Sequence, residues 1–195
     1  MRTRSASFIF LFLSFMILDV NAQKAVAEKA GLFQQFHSIN SAGFLVGSTT
    51  RSIQFTTVNG FQAKKLFAGI GVGLDCYYHI SVPIFLELHY KLAGIKNMLD
   101  LSGAGGINIP SSGQNKNFEY RVGKYRAGGF FESGFDYRIP VKNKAFITGA
   151  RFSFKQMKQI VENNVWNPVT NRIDNIPIKY DYQFNRVVVK IGWVF

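Results

Sequence analysis

The residues best suited to chemistry are His79, Ser81 and Glu87. A His and a Ser two apart on a strand point the same way. The imidazole could then take the Ser hydroxyl proton and prepare it for acyl transfer, with an acid holding the ring. The competing reading is structural: His79-Ile80-Ser81 is a polar turn ahead of Pro83. His37 and His89 are too few and too scattered to hold a metal, and no Cys/His spacing supports one. No phosphate-cradling Gly-Lys-Ser/Thr loop and no Gly-x-Ser-x-Gly elbow is present, so no cofactor is expected. Cys76 is the single cysteine and excludes an internal disulfide. Its apolar neighbours Leu74 and Tyr78 make it an inert face residue rather than a reactive thiol.

A second set of polar residues is larger and regularly spaced. Asp75, Glu87, His89, Lys91, Asp100, Arg126, Glu132, Asp136, Arg138, Arg151, Lys155, Arg186 and Lys190 all fall on one side of alternating segments. They form either an ion or proton path, or an ionic plug in which each charge finds a partner. Glu87 and Glu132 are expected to pair with Arg126, Arg151 or Arg186. Two polar stretches, Asn115–Arg121 and Asn163–Pro168, mix aromatic and amide groups. They suit contact with surface glycan or protein, or simply solvated loops with Phe118 and Trp166 near headgroups.

The elements that would position these residues are strands, because the chain alternates with period two. Eight segments stand out: His37–Gly47, Ser52–Ala63, Phe67–Tyr78, Val82–Leu92, Met98–Ile109, Tyr125–Ile139, Ala145–Met157 and Ile178–Phe195. Ile70, Val72 and Leu74 face one way, and Gly69, Gly71, Gly73 and Asp75 the other. Each segment is near or above the ~9–11 tilted residues that cross a membrane. Short links, Lys64-Lys65, Ala93–Asn97 and Pro140–Lys144, alternate with Ser48–Arg51, His79–Ser81, Pro110–Lys124 and Lys158–Pro177. Tight turns on one rim and longer loops on the other are the habit of outer-membrane barrels. Three glycines and large rings on the polar face suit a crowded lumen. Gly103-Ala104-Gly105-Gly106 lies on a strand, where barrel packing accounts for it. The almost uncharged opposite face suits hydrocarbon, and lipid leaves no partner for an open sheet edge.

The chain ends agree. Arg2 and Arg4 precede an apolar run, Phe8–Leu18, and Val20-Asn21-Ala22 resembles a peptidase site. Residues 1–22 therefore read as a cleaved signal, and 23–195 as one domain. No later run is long enough for a spanning helix. The formal charge of +12 becomes +11 without the signal. An exported protein meets little nucleic acid, so anionic lipid headgroups and phosphorylated surface glycolipids are the expected partners, and nucleic acid is not.

With Val187-x-Val189-x-Ile191-x-Trp193-x-Phe195 at the end and Val82-Pro83-Ile84-Phe85-Leu86-Glu87-Leu88 inside, the chain resembles the small eight-stranded outer-membrane β-barrel proteins of diderm bacteria. The resemblance covers the whole mature chain. It implies an all-β, antiparallel, up-and-down barrel in the cell outer membrane, inserted by the barrel assembly machinery through Val187, Val189, Ile191, Trp193 and Phe195. It implies no substrate. The first functional expectation is a monomeric barrel with a filled lumen and display loops. Lipid A deacylases, also eight-stranded barrels, use a His-x-Ser pair with an acidic partner. That likeness implies the alternative of an enzyme acting on lipid acyl groups. A narrow pore and a soluble lipocalin-like barrel are the remaining alternatives.

Overall fold

The structure, a computed structural model, describes residues 35–92, 98–111, 123–141, 144–167 and 172–195. Nine strands follow in chain order: β1 Phe36–Gly47, β2 Arg51–Ala63, β3 Leu66–Asp75, β4 Ser81–Lys91, β5 Leu99–Pro110, β6 Gly123–Arg126, β7 Gly128–Val141, β8 Lys144–Asn167 and β9 Arg172–Val194. Each long strand pairs antiparallel with its chain neighbour, and β1 pairs with β9. Eight strands therefore close on themselves and leave no open edge around the barrel wall. Short β6 stands outside this ring and pairs only with β8, from Lys158 to Val161.

Closure sorts side chains by parity. Ile70 and Leu86 are both 65% exposed and Val189 is 52% exposed on the outer wall. Asp75 (0%) and Arg186 (2%) lie inside. A water-soluble barrel would reverse this arrangement, because apolar surface gains by leaving water. Here the apolar residues form a continuous outer belt, and only hydrocarbon makes such a belt favourable.

The glycines make the lumen fillable. A Cβ on Gly71 would lie 2.3 Å from the ring of Phe85, which crosses the lumen from the neighbouring strand. We expect Gly71→Val to cost ~1–3 kcal/mol through overpacking. Gly105→Val serves as the control, since a Cβ at Gly105 meets nothing within 4 Å. Denaturant unfolding in detergent checks the pair, and equal stability of the two variants would refute the packing argument. Open space also surrounds Gly103. Barrel packing thus accounts for Gly106, whose Cβ would strike the backbone of Ile84, but not for Gly103 or Gly105.

Three expectations need correction. The segment Tyr125–Ile139 is two strands, β6 and β7, broken at Ala127. Arg126 consequently sits on β6, exposed, and is not a lumen residue. Lys158–Pro177 is no simple loop: β8 and β9 stay paired from Ala145↔Val194 to Asn167↔Arg172. β9 leaves β1 at Arg186 and β7 leaves β8 at Lys155. Gln156–Asn167 and its partner arm thus rise as a hairpin roughly 40 Å long at ~3.3 Å per residue. Residues 1–34, with the signal expected at 1–22, and the segment Asn115–Arg121 lie outside the described residues.

Candidate functional site, the filled lumen and its lid

The central ionic cluster is built around Arg151, on β8. Its Nε and Nη2 donate to the two oxygens of Asp136, at 3.1 and 2.7 Å. Its Nη1 donates to Glu87 Oε1 at 2.8 Å and lies 3.8 Å from Glu132 Oε2. His89 Nε2 donates to the same Glu87 oxygen at 2.7 Å, and its Nδ1 lies 3.5 Å from Asp136. Glu132 takes Lys190 on one oxygen and Gln54 on the other. The planar guanidinium fits this work, since it serves several carboxylates from one rigid fork.

A second cluster sits toward the long-loop rim. Asp75 accepts from Arg186 Nη1 at 2.6 Å and from Lys155 Nζ at 3.2 Å. Arg186 Nη2 also donates to Ser153 Oγ. At the other end Arg138 holds Asp100 through Nε and Nη2, at 3.1 and 2.9 Å. Asp75, Glu87, Asp100, Glu132 and Asp136 are thus matched by Arg138, Arg151, Lys155, Arg186 and Lys190. Five carboxylates thus face five basic side chains, one for one, with the His89 ring set among them. Apolar rings fill the space between them, with Phe85 and Phe130 at 5.2 Å and Phe67 edge-on to His89 at 5.4 Å. Lys91 stands half-buried at the short-turn rim, beside this set.

The lumen is capped by the β3–β4 connection, residues 76–80. Lys155 Nζ donates to the carbonyls of Tyr77 and His79, at 2.9 and 3.0 Å. Asp75 accepts from the Tyr77 amide, and the Tyr77 hydroxyl accepts from the amides of Thr49 and Thr50. Tyr77 is fully buried with Leu45, Met157, Phe184 and Val188. Tyr78 has a φ of 60°, a strained left-handed conformation for a bulky residue. Its ring packs 5.0 Å from Phe184 and 5.5 Å from Tyr182, on the root of the β9 arm. His79 stacks on Tyr125 of β6 at 4.2 Å and donates Nε2 to the carbonyl of Ser111. One turn therefore ties the barrel wall, the small strand and the hairpin together.

The acyl-transfer constellation does not assemble. Ser81 opens β4, and its buried Oγ has no hydrogen-bond partner. His79 is committed to Ser111 and Tyr125. Glu87 lies in the central cluster on Arg151 and His89. The alternation that aligns His79 with Ser81 fails because the backbone turns between residues 76 and 80. Arg126 contributes nothing to Glu87 or Glu132, and Arg186 serves Asp75 instead. Sequence reasoning set Tyr77 and Ser153 on the polar side of their strands but assigned no partner to them or to Gln54. Their parity on the strands was the available signal. Among the described residues, no group of His, Cys, Asp and Glu is arranged to hold a metal.

No protein-family model and no curated protein matches this sequence. Solved structures do. The outer membrane protein AlkL, determined by solid-state NMR in DMPC bilayers, is 11% identical, with a TM-score of 0.47 over 87% of this chain and 93% of that one. The outer membrane protein OprG from Pseudomonas aeruginosa is 15% identical, with a TM-score of 0.43 over 84% and 96%. The closed wall, the apolar outer belt and the charged interior are properties of this chain itself. The chain is an all-β, eight-stranded, closed antiparallel barrel. The belt is continued by Val187, Val189 and Ile191, while Trp193 and Phe195 stand half-buried at the strand's end. Aromatic rings in that position suit the membrane interface.

Proposed function

We propose that this outer-membrane barrel is a non-conducting platform that carries the β8–β9 hairpin to the cell surface, where its role is interaction. The supporting observation is the lumen. Paired charges, interleaved rings and a pinned turn occupy it from Asp100 to Tyr77. Eight strands enclose only enough room for side chains. A file of water or ions would have to displace Arg151, Asp136 and Glu87 together, and each charge lost from such a cluster is costly.

Outer-membrane barrels keep their short turns in the periplasm. That places Lys64-Lys65 in the periplasm and the hairpin outside. The outward row from Val187 to Phe195 supports a role for β9 as the strand the assembly machinery reads. The wall, closed by backbone pairing within one chain, supports a monomer. In planar bilayers the purified protein is expected to give no stepwise conductance at 100 mV. Reproducible unitary steps would refute the platform reading and favour the pore. Acyl chemistry finds no support, because Ser81 Oγ has no base beside it.

A further inference from the structure

We infer that the outer face at the root of the β8–β9 hairpin binds the phosphate of a phosphorylated glycolipid in the leaflet beside it. The inference rests on the proposed placing of the hairpin at the cell surface. The register of β8 with β9 is unbroken from Ala145↔Val194 to Asn167↔Arg172, so the parity of the wall continues into the hairpin. Phe152 and Val187 are exposed on the outer belt. Lys158, Lys179 and Asp181 share their side, and all three are exposed. β6 adds Arg126, exposed and directly opposite Lys158.

The facing cations point to an anion. Residues directly opposite in an antiparallel ladder have Cβ atoms about 5 Å apart, and like charges there weaken the pairing. β6 is four residues long and pairs with β8 alone, so the penalty falls on a strand with few bonds to hold it. Asp181 lies opposite Lys158 on its other side but accepts from Gln156 Nε2 through both oxygens, each at 3.0 Å. Among the described residues, Arg126, Lys158 and Lys179 enter no ion pair. A phosphate between Arg126 and Lys158 turns one repulsion into two attractions, and the guanidinium offers it a two-pronged contact.

Depth and direction select the source. Lys158 is two outward positions beyond Phe154, roughly 13 Å along the strand at ~3.3 Å per residue. A strand tilt of ~40° makes that about 10 Å of height, which reaches the headgroup layer. The face looks sideways over the leaflet, because its parity is that of the lipid-facing wall and not of the lumen. A phosphate carried by a lipid is therefore held where the two cations stand.

Native mass spectrometry of the folded protein tests this. It compares adducts with a bis-phosphorylated glucosamine disaccharide lipid and with the same lipid after phosphatase treatment, at equal concentration. A basic residue near an anionic surface contributes roughly fivefold, so the pair predicts a preference of about tenfold or more at low salt. Arg126→Gln and Lys158→Gln together should bring the preference within about twofold, whereas Lys158→Arg should retain it. Lys144→Gln, at the short-turn rim, removes a charge elsewhere and should leave the preference unchanged. Heat-modifiable gel migration verifies that each variant is folded. Hydrogen exchange gives a second readout: the phosphorylated lipid should slow the amides of Gly123–Arg126 in the parent and not in the double variant.

Equal adducts with the two lipids overturn the inference. So does a preference that survives the double substitution, or one that Lys144→Gln lowers as much. Slowing of the same amides by inorganic phosphate as strongly as by the lipid would assign the pair to free phosphate and overturn the lipid reading. Unitary conductance would retire the filled lumen without touching this site, and equal adducts would leave the silent bilayer standing.

Discussion

Replacing Arg151 with methionine is expected to destabilise the barrel by about 3–5 kcal/mol. The side chain is 5% exposed and contacts Asp136 and Glu87, with Glu132 just beyond. Its removal leaves carboxylates facing one another inside a wall that water enters poorly. The penalty is mainly theirs, since an uncompensated buried charge is worse than an absent pair. Two companions separate this cause from lost packing. Arg151→Lys keeps the charge but loses the two-pronged contact with Asp136, and should be intermediate. Arg151→Met combined with Asp136→Asn and Glu87→Gln removes the stranded charges, and should recover much of the loss. Urea titration of protein folded into vesicles measures all three. A single variant within about 1 kcal/mol of the parent would show that these charges are already solvated, contrary to a filled lumen.

Placing arginine at Leu86 tests the outer wall in the same way. Leu86 is the middle residue of β4 and points outward, 65% exposed. At the midplane of a bilayer the substitution should cost ~2–4 kcal/mol, whereas on a water-facing surface it would cost almost nothing. The depth dependence makes the test sharper. Val141 ends β7 at the short-turn rim and is also exposed. Val141→Arg should cost only ~0–1 kcal/mol, because the guanidinium reaches the headgroups. Refolding into vesicles measures the gradient. Equal costs at the two depths would mean that hydrocarbon does not surround the wall.

The sequence reading and the structure part company for identifiable reasons. Alternation assigned the faces of β2 to β5 because a strand repeats every two residues and hydrocarbon selects one parity. Ile84, Leu86, Leu88 and Tyr90 need no partner to reveal themselves. The hairpin above the barrel was hidden by the same rule. Beyond Lys158 neither solvent-side face must be apolar, so Glu162, Asn163, Asn164, Asp174 and Asn175 give no period. Pro168 and Pro177 add the look of a loop. Pairing in register across two arms holds them as strands nonetheless. Tyr125 and Arg126 misled in the other direction, since they continue the alternation of β7 but belong to a strand that pairs elsewhere.

By itself, the sequence determined the barrel class, the strand faces and which charges would be withdrawn from lipid. Those follow from local periodicity against a solvent with one polarity. Only the tertiary structure decided who pairs with whom. Glu87 meets Arg151 across 64 positions and Asp75 meets Arg186 across 111, contacts set by closure of the wall rather than by spacing along the chain. Closure also separated His79 from Ser81, turned Lys155 toward the capping turn and carried the β8–β9 hairpin beyond the neighbouring strands, because each depends on how those strands end.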